Sequence, residues 1–310
     1  MRVLCLESGG TKLVVAEADE SGRLLGRTVR FRAEAQRASQ TLDELISAGR
    51  ELLKGRKVDA VGFGFGGTVS RSDQRPLFCY HEDGWGDVDA HQRLTDAFCA
   101  PVFIENDCNV AALAEARVGW KFLEGTLFYV TVGTGIGAGI VRDGTPLRLG
   151  EVGEGEIGHL IVEPSGPLCG CGHQGCLETL CSGPGLATLS GQYLDEPITG
   201  PVLMERYRAG DKMATLIVQR AADYMAQALA PVVNILAPDL IVFGGGVMQD
   251  NPQYLDLVRN RTLEQAFPPI VELAPPRFER SRLRTDVVCQ GAALLALLGL
   301  NALQSTSDDL

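Results

Sequence analysis

The sequence predicts an α/β protein built from two similar lobes facing a cleft. Three observations carry this. Short apolar runs alternate with helix-period patterns from the first residues onward. A unit of strand, glycine turn, strand and hairpin occurs twice, about 120 residues apart, around Gly9-Gly10 and around Gly133–Gly137. A length of 310 residues suggests about two domains at roughly 100–200 residues each.

Val3–Leu6 is an apolar strand, Gly9-Gly10-Thr11-Lys12 a turn, and Leu13–Ala16 the returning strand. Ser21-Gly22 turns the chain into a third strand, Leu24–Phe31. Leu42, Leu45, Ile46, Leu52 and Leu53 share one helical face within Gln40–Leu53. Val58–Phe65 is a strand ending in Gly66-Gly67, Val88–Phe98 a helix, Val102–Glu105 a strand and Cys108–Trp120 an alanine-rich helix. The pattern then restarts with Leu127–Val132, the turn Gly133–Gly137, a strand to Val141 and the hairpin turn Asp143-Gly144. Met213–Leu236 is a long helix in which Pro231 predicts a kink or break. Leu240–Phe243 is a strand running into Gly244-Gly245-Gly246, and Gly291–Leu303 a final helix before the polar, frayed Gln304–Leu310. The expected division is 1–120, joined by the helix 290–303, and 121–289, with the boundary near Trp120–Gly125.

With 45% apolar and 22% charged residues the chain is globular rather than disordered. The 37 glycines exceed the usual share and follow no collagen period, so they serve turns and ligand loops. A net charge of −11 and the lack of a dense Lys/Arg run exclude nucleic acid and anionic membranes as expected partners. No unbroken apolar run reaches the ~18 residues of a membrane helix, and Met1–Leu6 is too short for a signal peptide. Nine cysteines, an odd number in a large chain, point to a reduced, cytoplasmic protein.

The most specific local signal is His159 with Cys169, Cys171 and Cys176, the last three wrapped in glycines. Three thiolates and one imidazole complete a closed tetrahedral zinc shell. Ordinary buried cysteines or a disulfide are the competing reading, and His173 and Cys181 are alternative ligands. Gly9, Gly10, Thr11 and Lys12 suit a phosphate, because glycine turns present backbone N–H groups to anions; a tight hairpin asks for the same residues. Gly133, Thr134 and Gly135 carry the same double reading, and Gly244, Gly245 and Gly246 add a third loop for one nucleotide. Glu105-Asn106-Asp107 meets a helix start, so Asn106 or Asp107 either caps the helix or offers a carboxylate able to accept a proton. Glu156 and Glu178 bracket the cysteines and are either solvated or acceptors for the hydroxyls of a polyol.

In order and combination these motifs resemble the ROK family of repressors, open reading frames and sugar kinases, in the actin-like ATPase superfamily. The resemblance rests on Gly9-Gly10-Thr11-Lys12, Glu105-Asn106-Asp107, Gly133–Gly139, Glu156-x-Gly158-His159, Cys169-x-Cys171-x4-Cys176 and Gly244-Gly245-Gly246, and covers nearly the whole chain. It implies two actin-like (ribonuclease H-like) lobes around a cleft and a zinc-binding loop. It implies ATP-dependent phosphorylation of a hexose or N-acetylhexosamine, usually at C6, with glucose-type sugars favoured and fructose, N-acetylglucosamine or N-acetylmannosamine as alternatives. Asp107 matches the general base; Asn106, Glu156, His159 and Glu178 match the sugar-binding positions, with Gly67 beside them. Gly10, Thr11 and Lys12 match the γ-phosphate side, Gly133–Gly135 the second phosphate loop and Gly244–Gly246 the adenosine side, with Mg²⁺ bridging the phosphates. A homodimer is implied as well. The sequence departs from the family pattern in three places: Glu7 stands where an aspartate is usual, Gly66-Gly67 replaces Pro-Gly, and His81-Glu82-Asp83-Gly84-Trp85 lacks the Asn-Leu of many glucokinase-type members. A sugar-sensing repressor would carry a winged helix-turn-helix ahead of the first strand, which this sequence does not present.

Overall fold

The computed structural model describes residues 1–10, 12–32 and 37–308, and the chain divides into two compact units. The first holds Met1–Lys121, Thr145–Glu154 and Thr285–Leu310; the second holds Phe122–Gly144 and Gly155–Arg284.

In the first unit β1 (Arg2–Ser8), β2 (Lys12–Asp19) and β3 (Leu24–Arg32) form an antiparallel meander. After α1 (Ala38–Leu53), β4 (Ala60–Phe65) pairs parallel to β1. A small hairpin, β5 (Thr68–Ser70) and β6 (Arg75–Phe78), and α2 (Ala90–Phe98) lead to β7 (Val102–Asn106), parallel to β4. The helix α3 (Asp107–Ala114) follows directly, and the sheet order is β3-β2-β1-β4-β7.

β1, β2 and β4 are apolar on both sides because both faces of the sheet are covered. On one side Leu42, Leu45 and Leu53 of α1 join Phe63, Phe65 and Trp85. On the other lies the C-terminal helix Val287–Asp308, whose Cys289, Ala292, Ala293 and Ala296 pack on Val3, Cys5, Val14 and Ala60. The approach is close enough that a Cβ on Gly62 would stand 1.9 Å from the Ala292 carbonyl oxygen. By length and composition this helix, over Arg284–Ser305, could cross a membrane, contrary to the expectation of no such segment; here its alanine face is core.

The second unit repeats the opening. β8 (Thr126–Val132) and β9 (Ile136–Arg142) are antiparallel around the second glycine turn. Helices α4 (Glu178–Cys181), α5 (Gly183–Ser190), α6 (Gly200–Arg208) and α7 (Lys212–Leu236) come next. β10 (Leu240–Gly244) pairs parallel to β8, and after α8 (Gly246–Gln249), α9 (Pro252–Gln265) and α10 (Pro268–Leu273), β11 (Arg277–Arg280) pairs parallel to β10. The same arrangement of one antiparallel hairpin followed by parallel additions therefore occurs in each unit.

The structure departs from the sequence reading in four places. Cys108–Trp120 is α-helical only to Ala114 and then widens into a π turn, Glu115–Gly119, closed by Trp120 N–H on the Glu115 carbonyl at 2.7 Å. α7 runs unbroken through Pro231. The C-terminal helix continues through the polar 304–308, and only residues 309–310 of the expected tail lie outside the described residues. Thr145–Glu154, expected with the C-terminal lobe, groups with the first unit. The cause is polar: Arg71 binds the Glu154 carboxylate at 2.5 and 2.6 Å, Ser70 and Ser72 bind Glu151, and Arg148 pairs with Glu105.

Candidate active site and metal centre

Strand register assembles the first cluster. Ser8 pairs with Phe65, and Phe65 with Asn106, so the C-terminal ends of β1, β4 and β7 are level. The residues that follow, Gly9-Gly10, Gly66-Gly67 and Asp107, are thereby brought side by side; in parallel α/β sheets this is the edge where ligands bind. The Gly66 N–H donates to the Ser8 carbonyl at 2.7 Å, and a Cβ on Gly66 would stand 3.2 Å from Gly9 Cα and 3.5 Å from Asp107 Oδ2.

Asn106, not Asp107, caps α3. Its Oδ1 accepts the N–H groups of Cys108 at 2.8 Å and Asn109 at 3.2 Å, and its Nδ2 donates to the Gly67 carbonyl at 3.1 Å. Asn106 thus ties Gly67 to the start of the helix that carries Asp107. Burial pushes the Asp107 carboxyl up from 3.8 to about 6; contact with Cys108 and the Lys12 charge oppose the shift, and the Glu7 charge adds to it. Glu105 lies behind this corner, accepting from Asn106 N–H at 3.0 Å and Asn109 Nδ2 at 3.2 Å and pairing with Arg148.

The Gly9 N–H closes the first turn on the Lys12 carbonyl at 3.0 Å. Lys12 Nζ pairs with Glu7 Oε1 at 2.8 Å, so the lysine charge proposed for phosphate already has a carboxylate partner. Burial raises the Glu7 pKa against the pull of Lys12. Thr11 lies outside the described residues.

In the second unit Gly133 N–H donates to the Gly135 carbonyl at 2.9 Å, and the Gly133 carbonyl accepts Gly183 N–H at 2.7 Å. Glu178 Oε2 accepts Ile136 N–H at 2.8 Å. A Cβ on Gly135 would stand 2.5 Å from that oxygen, so the turn passes directly over the Glu178 carboxylate. Gly244 faces Thr131 in the ladder, and Gly245, with φ of 78°, packs where a Cβ would stand 2.2 Å from the Val132 carbonyl oxygen. These contacts set Gly244-Gly245 beside the second turn, with Thr134 and Gly246 in the same two loops.

The four sequence-predicted metal ligands converge: His159, Cys169, Cys171 and Cys176 each offer a ligand atom within 4.8 Å of all the others. His159 Nδ1 lies 3.6 Å from Cys169 Sγ, and Cys171 Sγ lies 3.5 Å from Cys176 Sγ. Burial pushes Cys176 up to about 12, and a hydrogen bond shared with Cys171 adds to this; Cys171, against its own burial, is drawn down to about 6 by hydrogen bonds from His173 and the neighbouring thiols. One thiolate is tolerated there, and a divalent cation is what would let three coexist. His173 Nδ1 is 3.6 Å from Cys171 Sγ at the exposed rim, whereas Cys181 is buried elsewhere against the Ala221 carbonyl. The loop is tight: Gly175 has φ of 72°, and a Cβ there would stand 1.6 Å from the Glu163 carbonyl oxygen. His159 Nε2 lies 3.9 Å from Glu156 Oε2, and the Glu156 side chain is exposed. The nitrogen away from Cys169 thus faces an exposed carboxylate.

Sequence reasoning missed the Arg71–Glu154 pair and the hold of Glu178 on the second turn. The first joins positions 83 apart and leaves no local pattern. The second was within reach, because Glu178 is two residues past the last cysteine ligand.

A family model described as the ROK family matches residues 3–298. A glucokinase of Thermotoga maritima is 27% identical over 288 residues, covering 87% of this chain and 90% of the relative. An N-acetylmannosamine kinase of Yersinia pestis is 32% identical over 250 residues, covering 79% and 82%. The solved structure of a ROK family glucokinase from Streptomyces griseus, in complex with glucose and AMPPNP, superposes with a TM-score of 0.81 at 29% identity, covering 96% of this chain and 100% of the other. With the family model spanning nearly its whole length and the two ribonuclease H-like sheets in place, this chain belongs to the ROK family.

Proposed function

We infer that the chain is an ATP-dependent sugar kinase, and we propose that it phosphorylates a glucose-type hexose at the C6 hydroxyl with Asp107 as general base. The observation that carries this reading is a carboxylate raised to about 6, set at the level ends of three strands beside two glycine turns. Such a group is a stronger base than an ordinary aspartate and is still ionised at neutral pH. Asp107 takes the hydroxyl proton as that oxygen bonds to the γ-phosphorus. The bond to the bridging oxygen breaks, and ADP leaves. Positioning and charge stabilisation supply most of the rate in such transfers.

The roles follow residue by residue. The Gly9-Gly10 turn borders the γ-phosphate side, and the Gly133–Gly135 turn the other phosphates. Gly244–Gly246 border the adenosine. Asn106 and Gly67 keep the corner around Asp107, while Glu156, Glu178 and His159 bind sugar hydroxyls. Mg²⁺ would supply charge neutralisation to the phosphates, and Glu7, paired with Lys12, would act on it only indirectly. Zinc fits the one-imidazole, three-thiolate donor set of the His159 cluster and would hold that loop shut. Among the described residues no two cysteines are joined in a disulfide, and we propose a reduced cytoplasmic setting. We also propose a homodimer.

The Yersinia pestis relative favours a second reading, phosphorylation of an N-acetylhexosamine. A coupled ADP-release assay over glucose, fructose, mannose, N-acetylglucosamine and N-acetylmannosamine tests both. Glucose or mannose giving the highest kcat/KM supports the first reading, and N-acetylmannosamine the second. No sugar-dependent ATP turnover at all would end the kinase assignment.

A further inference from the structure

The loop after β6 carries a histidine that the site described above leaves unused. His81 lies directly on the first glycine turn: a Cβ on Gly10 would stand 2.6 Å from His81 Cδ2 and 2.8 Å from His81 Nε2. The ring is exposed, and among the described residues its nitrogens make no hydrogen bond. Its neighbours are fixed on both sides. Glu82 is buried, accepting from Thr41 Oγ1 at 3.0 Å and from Trp85 Nε1 at 2.9 Å. Trp85 is itself wedged against Phe65 with ring centroids 4.6 Å apart. The Asp83 carbonyl accepts the Ala38 N–H at the start of α1, at 3.0 Å. At the other end of the loop Gly67 packs so closely on the Phe78 carbonyl that a Cβ there would stand 2.3 Å from its oxygen. A buried carboxylate, an indole and two backbone contacts therefore hold an otherwise unbonded imidazole at the turn.

An imidazole kept there with open donor capacity fits an anion at that turn. Lys12, the cation at the end of that turn, is already paired with Glu7. We propose that His81 is a further substrate-contacting residue, its imidazole donating a hydrogen bond to the γ-phosphoryl group of the nucleotide at the Gly9-Gly10 turn. This rests on the kinase reading, which assigns that turn to the γ-phosphate. The donor holds a non-bridging oxygen as the phosphoryl group passes to the acceptor, and no proton need leave the ring.

The test compares His81→Ala and His81→Gln with the wild-type full chain, by calorimetric titration with AMPPNP, ADP and glucose and by steady-state kinetics. Loss of a hydrogen bond to a charged group should weaken AMPPNP about 10- to 100-fold in His81→Ala. ADP, which lacks the contacted group, and glucose should bind as in the wild type. His81→Gln keeps an N–H donor and should recover most of the loss. Equal weakening of AMPPNP and ADP, weakening of glucose instead, or no change would overturn the proposal. Because His81 is exposed, thermal unfolding of both variants should match the wild type; if His81→Ala alone unfolds early, His81→Leu, which removes the donor and keeps the bulk, decides: weaker AMPPNP with unchanged ADP supports the contact, and an unchanged ratio overturns it. Lack of sugar-dependent turnover in the wild type would sink the kinase reading, whereas the AMPPNP-to-ADP ratio reads the His81 contact by itself.

Discussion

The two glycine turns start from the same plan, a strand folding back on itself through glycines at the head of a sheet, yet they are held by different means. The first is closed by its own backbone and flanked by Gly66, with Glu7 and Lys12 joined at its base. The second is gripped from outside: Glu178 takes its Ile136 N–H, and Gly183 reaches its Gly133 carbonyl. Both grips come from the segment immediately after the cysteine ligands. A short hairpin can therefore be specified locally or be handed to a neighbouring element. In the second case its order depends on whatever orders that element.

The sharpest way to break this comparison is to disable the proposed zinc site of the second unit. Binding free energies of structural zinc sites are on the order of 10 kcal/mol, so chelation or Cys171→Ser should release the grip on the second turn. Hydrogen exchange at the Ile136 amide should then accelerate, while Leu4 in the first sheet keeps its protection. Equal acceleration at both would show that the turns share one support.

Next in size is Asp107→Asn, which should fold normally and lose about 10²–10⁴-fold in kcat. In the wild type kcat/KM should fall as pH drops through about 6, where Asp107 gains its proton. Stability should move the other way. The folded pKa lies above the usual 3.8, so the native state binds the proton more tightly, and the charge costs stability above about pH 6. The variant should therefore melt higher than wild type at neutral pH, with the difference vanishing below about pH 4.

Lys12→Met tests the support of the first turn. It strands the buried Glu7 carboxylate, and because Lys12 is partly exposed the cost should be about 1–3 kcal/mol, below that of a fully buried pair. The urea midpoint should fall, and fall less in acid where Glu7 is protonated. The smallest effect is expected from Glu178→Gln, which keeps an acceptor oxygen for Ile136 but loses its charge, about 1 kcal/mol. Zinc content should be unchanged and sugar affinity reduced; loss of zinc in step with affinity would make Glu178 a support of the metal loop alone.

Much of this was legible in sequence, for reasons of range. β1, β2 and β4 read correctly because both sheet faces are covered there, leaving unbroken apolar runs. The cluster of His159 with Cys169, Cys171 and Cys176 was legible because three of its members lie within eight residues, and the fold brings all four within 4.8 Å of one another. Asn106 and Asp107 could not be told apart as cap and carboxylate, since either side chain suits a helix start; only the hydrogen bonds of Asn106 decide. The Arg71–Glu154 pair and the contact of His81 with Gly10 join distant segments and carry no periodicity. Pro231 misled because proline removes one N–H from a helix, whereas the buried face of α7, Ala221 through Val233, outweighs it.

The discontinuity of the first unit has a consequence for synthesis. Its sheet lacks one of its two covers until the helix starting at Val287 has left the ribosome, after the whole second unit. Val3, Cys5, Val14 and Ala60 must wait, uncovered, through most of translation. The second unit, made without interruption from Gly155 to Arg284 after its opening hairpin, can condense while still tethered to the exit tunnel. Nascent chains stalled before Val287 should thus carry a protease-resistant second unit and a protease-sensitive first, and the order of birth of the two units should be the reverse of their order of completion.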